Sequence, residues 1–96
     1  MSELTLTSPH QHPLEPLVKA ALASELRLLQ AGIRRTEDRL NSFETKYQLS
    51  TAEFIRRFEN DEFEETLEFA EWIGEYRMRE VLQEKLKILE SIQFAN

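Results

Sequence analysis

The stretch Leu49-Ser50-Thr51-Ala52-Glu53-Phe54 decides the fold of this chain, because it starts a helix in the middle of the sequence. The Ser50 side chain can accept a hydrogen bond from the first helical turn, and Glu53 can reach back to the Ser50 amide, which is the capping-box pattern. Leu49 and Phe54 can close over this cap as a hydrophobic staple. Helix-patterned segments lie on both sides, so the sequence predicts two long helical arms joined at a short corner.

The segment before the corner predicts one long helix over about 13–47. Its apolar residues recur in alternating steps of four and three, which is the spacing of a heptad seam. The seam consists of Leu22, Leu26, Leu29, Ile33, Thr36, Leu40, Phe43 and Tyr47. The apolar face is wide in the first half of this helix, where further apolar residues project beside the seam: Leu14, Leu17, Ala21 and Leu28. Residues 1–12 show no such pattern, and we predict a flexible tail there.

The segment after the corner predicts a short helix over about 51–59 and a second long helix over about 62–92. The main apolar stripe of the second long helix consists of Phe63, Leu67, Ala70, Gly74, Met78, Val81, Ile88 and Ile92. A shorter aromatic face lies on the other side of the same helix and consists of Phe69, Trp72, Ile73 and Tyr76. This aromatic face has two interpretations: a local core beneath the short helix, or a partner-binding surface, since Trp and Tyr are frequent interface anchors.

The composition sets limits on the class of protein. A length of 96 residues suits a single domain, 13–96, and the net charge of -6 disfavours general affinity for nucleic acid. The absence of cysteine excludes disulfides and thiolate metal sites. No apolar run approaches the roughly 20 residues that span a bilayer, and the N-terminus lacks the order of a signal peptide. We therefore expect an all-α protein of the cytoplasm.

The expected architecture is a long antiparallel helical hairpin with a short helix at the corner, two of which pair into a dimeric four-helix bundle. A single layer of two helices leaves half of each circumference in water, and both arms have their widest apolar faces at the end away from the corner. The residues expected in the dimer core are Leu22, Leu26, Leu29, Ile33, Leu82, Leu86 and Leu89.

No pattern in the sequence indicates catalysis or a cofactor. His10 and His12 lie in the predicted tail without a third ligand, and the glutamates between 64 and 75 lack the Glu-x-x-His motif of bundle metal sites. Three arginines alternate with acidic residues on the first arm, as is typical of a solvated helix face. They are Arg34, Arg35 and Arg39. We expect no enzyme activity, no cofactor, no metal, and neither nucleic acid nor membrane as a direct partner.

The chain also resembles a known family. The matching residues are the run Lys46-Tyr47-x-Leu49-Ser50-x-x-Glu53-Phe54-x-x-Arg57-Phe58-Glu59, followed by Phe69-x-Glu71-Trp72 and Tyr76. This pattern resembles a small all-helical prokaryotic family with a Lys-Tyr-Gly-Met-Ser-x-Glu-Glu-Phe corner and a Glu-Trp-bearing second helix. The resemblance covers about residues 40–90 and implies the antitoxin half of a type II toxin–antitoxin pair, because several members are encoded beside a toxin-like protein. This chain departs from the pattern in having Gln48 where Gly is usual, and an acidic turn after Phe58 without the usual Gly.

Three functional hypotheses follow, of which the third, a nucleic-acid binder through Arg34, Arg35 and Arg39, is disfavoured by the net charge. The first is a non-enzymatic protein-binding module, an antitoxin that blocks a toxin-like partner by occupying its surface. The alternative is a structural, self-assembling coiled-coil module. Partner-binding residues are expected at the corner, where aromatic anchors lie beside guanidinium groups as interface centres favour: Arg56, Arg57, Phe69, Trp72 and Tyr76.

Overall fold

The computed structural model describes residues 2–94, which form three α-helices. α1 spans Leu14–Tyr47, α2 spans Thr51–Glu59 and α3 spans Leu67–Glu90. α1 and α3 pack against each other as an antiparallel hairpin, and α2 lies at the corner of a molecule measuring 60 × 25 × 19 Å. The predicted all-α hairpin with a short corner helix is confirmed. Within residues 2–94, no helix combines the length and the apolar composition needed to cross a membrane.

The start of α2 forms as the capping pattern predicts, with one change of partner. Ser50 Oγ accepts from the Glu53 amide at 3.1 Å, which is the first half of the capping box. The Glu53 carboxylate, however, accepts from the Arg56 and Arg57 side chains instead of reaching back to the Ser50 amide. The Glu53 carboxylate therefore accepts hydrogen bonds from two guanidinium groups of the next turn, in place of the bond from the Ser50 amide that the capping box would have.

The end of α1 is tied directly to the start of α2. Gln48 terminates α1 in the left-handed conformation, with φ 52 and ψ 46, and its side-chain amide donates to the Thr45 carbonyl at 2.7 Å. The Thr51 amide donates to the Glu44 carboxylate at 2.6 Å, across the corner. An amide at the start of α2 is thus satisfied by a side chain of α1, which fixes the angle at which the chain turns.

α2 ends in a Schellman motif, which reverses the chain a second time. Asp61 has a positive φ of 57, its amide donates to the Phe58 carbonyl at 3.1 Å, and the Glu62 amide donates to the Arg57 carbonyl at 3.0 Å. Asp61, a residue other than glycine in the left-handed conformation, therefore closes this turn.

α3 begins later than the sequence predicted. Residues 62–66 are not helical, because Glu62 is held in the turn that ends α2. Thr66 then caps the new helix, with its Oγ1 accepting from the Phe69 amide at 3.1 Å. The predicted start at about 62 is corrected to Leu67.

An aromatic core fills the corner, and Trp72 lies at its centre. Trp72 and Phe54 have no exposed surface, and their rings stack with centroids 3.9 Å apart. Phe43 stacks against Trp72 as well, at 5.4 Å. The Trp72 Nε1–H group donates to Thr51 Oγ1 at 3.0 Å, so its one polar group is satisfied in the interior. Residues from all three helices therefore meet at one indole ring.

The side of α3 that packs against α1 differs from the predicted stripe. The aromatic face around Trp72 turns inward, and most of the predicted stripe is exposed: Leu67, Ala70, Gly74, Met78, Val81, Ile88 and Ile92. Phe63 does pack against the corner core, but from the segment before α3. The physical reason is that Trp72, the largest side chain of α3, is buried against rings of α1 and α2, and Phe69, Ile73 and Tyr76 pack beside it.

The left-handed Gln48 allows a prediction about stability. An L-residue in this conformation is strained by about 1–2 kcal/mol, whereas glycine is not. We expect Gln48→Gly to be more stable than Gln48→Ala by about 0.5–1 kcal/mol, because both variants lose the bond to Thr45, only alanine keeps the strain, and the greater unfolded-state entropy of glycine offsets part of the gain. Urea unfolding measures the change. Gln48→Ala is the matched control; it keeps the strain, and a midpoint for it above that of Gln48→Gly would contradict the argument.

The buried bond between Trp72 and Thr51 allows a second prediction. Thr51→Val preserves the side-chain shape but leaves the indole N–H unpaired, which costs about 1–3 kcal/mol. Thr51→Ser keeps the hydroxyl and removes one methyl group, worth about 0.8 kcal/mol. Urea unfolding followed by the fluorescence of Trp72, the only tryptophan of the chain, compares the two variants. If Thr51→Ser proves less stable than Thr51→Val, the hydrogen bond does not stabilise the corner.

Candidate protein-binding surfaces

The aromatic residues expected to bind a partner belong to the corner core. Trp72 is fully buried, and Phe69 and Tyr76 are half-buried against the same cluster. The Tyr76 hydroxyl donates to the Glu80 carboxylate at 2.7 Å, and this bond raises the pKa of the Tyr76 hydroxyl above its usual value. At this surface a partner could touch the edges of Phe69 and Tyr76, with Trp72 supporting them from below.

The two arginines expected beside them share one carboxylate. Arg56 and Arg57 each donate through Nε to Glu53, both at 3.0 Å. The hydrogen bonds from Arg56, and then those from Arg57, lower the pKa of the Glu53 carboxyl from 4.5 to about 2. The same pairing with Glu53 raises the pKa of Arg56. Both guanidinium groups therefore have an internal partner, on the exposed side of α2.

Ion pairs between α1 and α3 lie on one side of the hairpin near the corner. Lys46 Nζ lies 2.6 Å from a Glu68 oxygen, and Arg39 lies 3.5 Å from Glu71 and 3.8 Å from Glu75. The hydrogen bond with Lys46 lowers the pKa of the Glu68 carboxyl, and the same bond raises the pKa of Lys46. By helical spacing, these acidic residues lie on the edge of α3 opposite the aromatic residues that contact α2. This side of the hairpin is therefore not covered by α2.

Further from the corner, the same edges of both helices become apolar. On α3 the acidic edge at 68, 71 and 75 continues in steps of three, four and seven through Met78, Leu82 and Leu89. On α1 the edge of Lys46 and Arg39 continues through Leu28, Ala21 and Leu17. We call these six apolar residues the uncovered face: Leu17, Ala21, Leu28, Met78, Leu82 and Leu89.

The uncovered face combines exposed and half-buried side chains. Leu28 is 67% exposed, Leu17 64% and Met78 47%, while Leu82 and Leu89 are half-buried. Leu82 reaches across to α1, where its Cδ1 lies 3.1 Å from the position that a Cβ on Gly32 would take. The wide apolar face of the first arm indicated this surface in the sequence. The position of the surface relative to α2 is seen only in the structure.

The residues expected in the dimer core lie in the same half of the hairpin. Leu29 and Ile33 are buried inside it. The other five are half-buried along the contact of α1 with α3: Leu22, Leu26, Leu82, Leu86 and Leu89. Two of the seven, Leu82 and Leu89, also contribute to the uncovered face.

The net charge is divided unequally along the hairpin. The corner half, residues 36–76, contains 12 acidic and 4 basic residues, a net charge of -8. The open half, residues 14–35 and 77–94, contains 8 basic and 5 acidic residues, a net charge of +3. Sequence reasoning missed this division because it summed the charge over the whole chain, although the predicted hairpin already brings the two parts of the open half together.

The described surface offers no deep cleft. One depression lies between α1 and the start of α3, beside Arg39, Lys46 and Leu67, and another lies beside Gln48; both are shallow. Among residues 2–94, no three His, Asp or Glu side chains are grouped so that they could hold a metal ion.

Comparisons of this chain with protein-family models, curated proteins and solved structures found no match.

The Glu53 cluster predicts how stability depends on pH. A carboxyl whose pKa falls on folding, here from 4.5 to about 2, stabilises the native state fully above its unfolded pKa. That stabilisation is lost as the pH falls through about 4 towards 2. We therefore expect Glu53→Gln to lower the melting temperature at pH 6 and to match the wild type near pH 2.

The matched control for this experiment removes the two partners. Arg56→Gln/Arg57→Gln keeps the Glu53 carboxylate but removes its hydrogen bonds with the two arginines. The difference in melting temperature between this variant and the wild type should therefore also vanish as the pH falls from 6 to about 2. A difference between Glu53→Gln and the wild type that is equal at pH 6 and pH 2 would show that the ion pairs do not contribute.

Proposed function

We propose that this chain is a non-enzymatic protein-binding module of the cytoplasm, works as a homodimer and acts as the antitoxin of a type II toxin–antitoxin pair. One observation carries the proposal: the molecule has no deep cleft over its described residues but a strongly charged corner half, with a net charge of -8. A surface of that charge suits a basic protein partner, since complementary potentials speed association and select the partner. The corner half also contains most of the stretch that resembles the antitoxin-like family.

The exposed acidic segment after α2 is the part of the corner that we assign to the partner. Glu62, Glu64 and Glu65 are exposed and lie in the non-helical stretch before α3. Arg56, Phe69 and Tyr76 form the adjoining rim in this proposal. Because the core beneath is rigid and aromatic, a partner would meet a preformed surface, and little ordering entropy would be lost on binding.

Capture of the product of the adjacent gene tests the proposal. The immobilised chain should retain the purified product, and Glu62→Gln/Glu64→Gln/Glu65→Gln should weaken retention at least about tenfold and reduce its dependence on salt. The matched control, Glu25→Gln/Glu84→Gln/Glu90→Gln, makes the same change of charge in the open half and should retain the product as the wild type does.

Two results would contradict the proposal. If the wild type does not retain the product, the antitoxin assignment fails. Equal losses in the two triple variants would show that total charge, and not the corner, governs the contact. The alternative of a self-assembling structural module is favoured by a different observation, the exposed apolar residues of the open half, and predicts self-association without capture.

A further inference from the structure

The uncovered face of the open half is not explained by the proposed contact at the corner. We propose that a second copy of this chain packs on it in antiparallel orientation, so that the open halves of two hairpins form a four-helix bundle. The inference rests on the homodimer part of the proposed function and assigns its surface and its orientation.

The composition of the face suits a helical bundle. Two parallel rows of apolar residues, one on each helix, present a surface of about the width that a second layer of two helices covers. Leu17 and Leu28 form the row on α1, and Met78, Leu82 and Leu89 form the row on α3. Leu17, Leu28 and Met78 are exposed on this face, and a contiguous apolar surface of this kind is typical of an interface.

The exposed area of the chain is larger than its mass predicts. A folded monomer of 11.4 kDa exposes about 5,800 Å², whereas this chain exposes 7882 Å². The non-helical, exposed residues 2–13, about 1.3 kDa, account for about 1,900 Å² at the value for an unfolded chain. The remainder still exceeds the area of a compact protein of its mass by about 700 Å². One partner contributes roughly 800 Å² to an interface of standard size, so the excess is about one such surface.

The charges favour the antiparallel orientation. A parallel pair would place two corner halves side by side, each with a net charge of -8, and their repulsion would oppose association. An antiparallel pair places the two corners at opposite ends of the dimer, where distance and salt screen their repulsion. The contact must also end near the middle of each hairpin, because Arg39 and Lys46 continue the row of α1 as charged side chains already paired with α3.

Sedimentation equilibrium at micromolar concentration tests the surface. The wild type should have twice the mass of one 11.4 kDa chain. Leu28→Glu places a carboxylate in the interface from each copy and should raise the dimer dissociation constant at least roughly 100-fold. Since Leu28 is largely exposed in the single chain, the helical circular-dichroism signal should be retained.

The matched control is Leu4→Glu, which makes the same change at a leucine that is 82% exposed in the N-terminal segment. This variant should remain dimeric. A dimeric Leu28→Glu, or a monomeric Leu4→Glu, would overturn the assignment of the surface. A monomeric wild type at tens of micromolar would overturn the dimer itself.

Orientation is measured independently by spin labels on Ala52→Cys, the chain having no other cysteine. The middle of the open half, near residue 25, lies about 33 Å from the end of α1 at 1.5 Å per residue. Labels at the two corners should therefore be about 65 Å apart in the antiparallel dimer, against about 30 Å or less in a parallel one. The shorter distance would overturn the proposed orientation.

Failure here is distinguishable from failure of the proposed function. Leu28→Glu leaves the corner unchanged, so this variant should capture the adjacent gene's product as the wild type does. Loss of the dimer with capture retained separates the two surfaces. Loss of capture in Leu28→Glu would mean that the partner needs the dimer, and would overturn the assignment of the two contacts to separate surfaces.

Discussion

The burial of Trp72 is the constraint on which the rest of the structure depends. Its ring stacks between Phe54 of α2 and Phe43 of α1, and its N–H group binds Thr51 at the start of α2. Once this ring is inside, the rotation of α3 about its own axis is fixed. The acidic edge of α3 must then face Arg39 and Lys46, α2 must lie on the other side, and the predicted apolar stripe must face water.

The three helices and the corner between α1 and α2 could be predicted from local chemistry, but the connection from α2 to α3 and the rotation of α3 could not. The Ser50 cap follows from a few neighbouring residues. The rotation required a choice between two faces, and periodicity favoured the face whose apolar residues run the length of the helix. The true inner face is interrupted by the half-buried Glu75 and Arg79. A sequence pattern gives every apolar position the same weight, whereas the free energy of burial depends on the apolar area of each side chain. The large aromatic rings therefore decide which face of α3 packs inward.

The candidate surfaces were predictable to a different extent. The wide apolar face of the first arm indicated an unsatisfied surface near Leu17 and Leu28, which the structure places opposite α2. Trp72 was ambiguous in the sequence, because the same residue type forms cores and interface anchors. The pairing of Arg39 with Glu75 and the packing of Leu82 near Gly32 could not be predicted, because both depend on the rotation of α3 about its axis. Contacts between residues distant in sequence were therefore the missing information.

The two halves of the hairpin differ in what stabilises them. The corner has a closed aromatic core that needs no other chain, whereas the open half has Leu29 and Ile33 as its buried residues and half-buried leucines around them. Association of the open halves would therefore stabilise α1 and α3 where their packing is weakest, by an amount that grows with protein concentration. The corner would keep its shape at any concentration, because its contacts lie within one chain. A partner bound there would be sensitive to self-association through α1 and α3, the two helices that run from the open half into the corner.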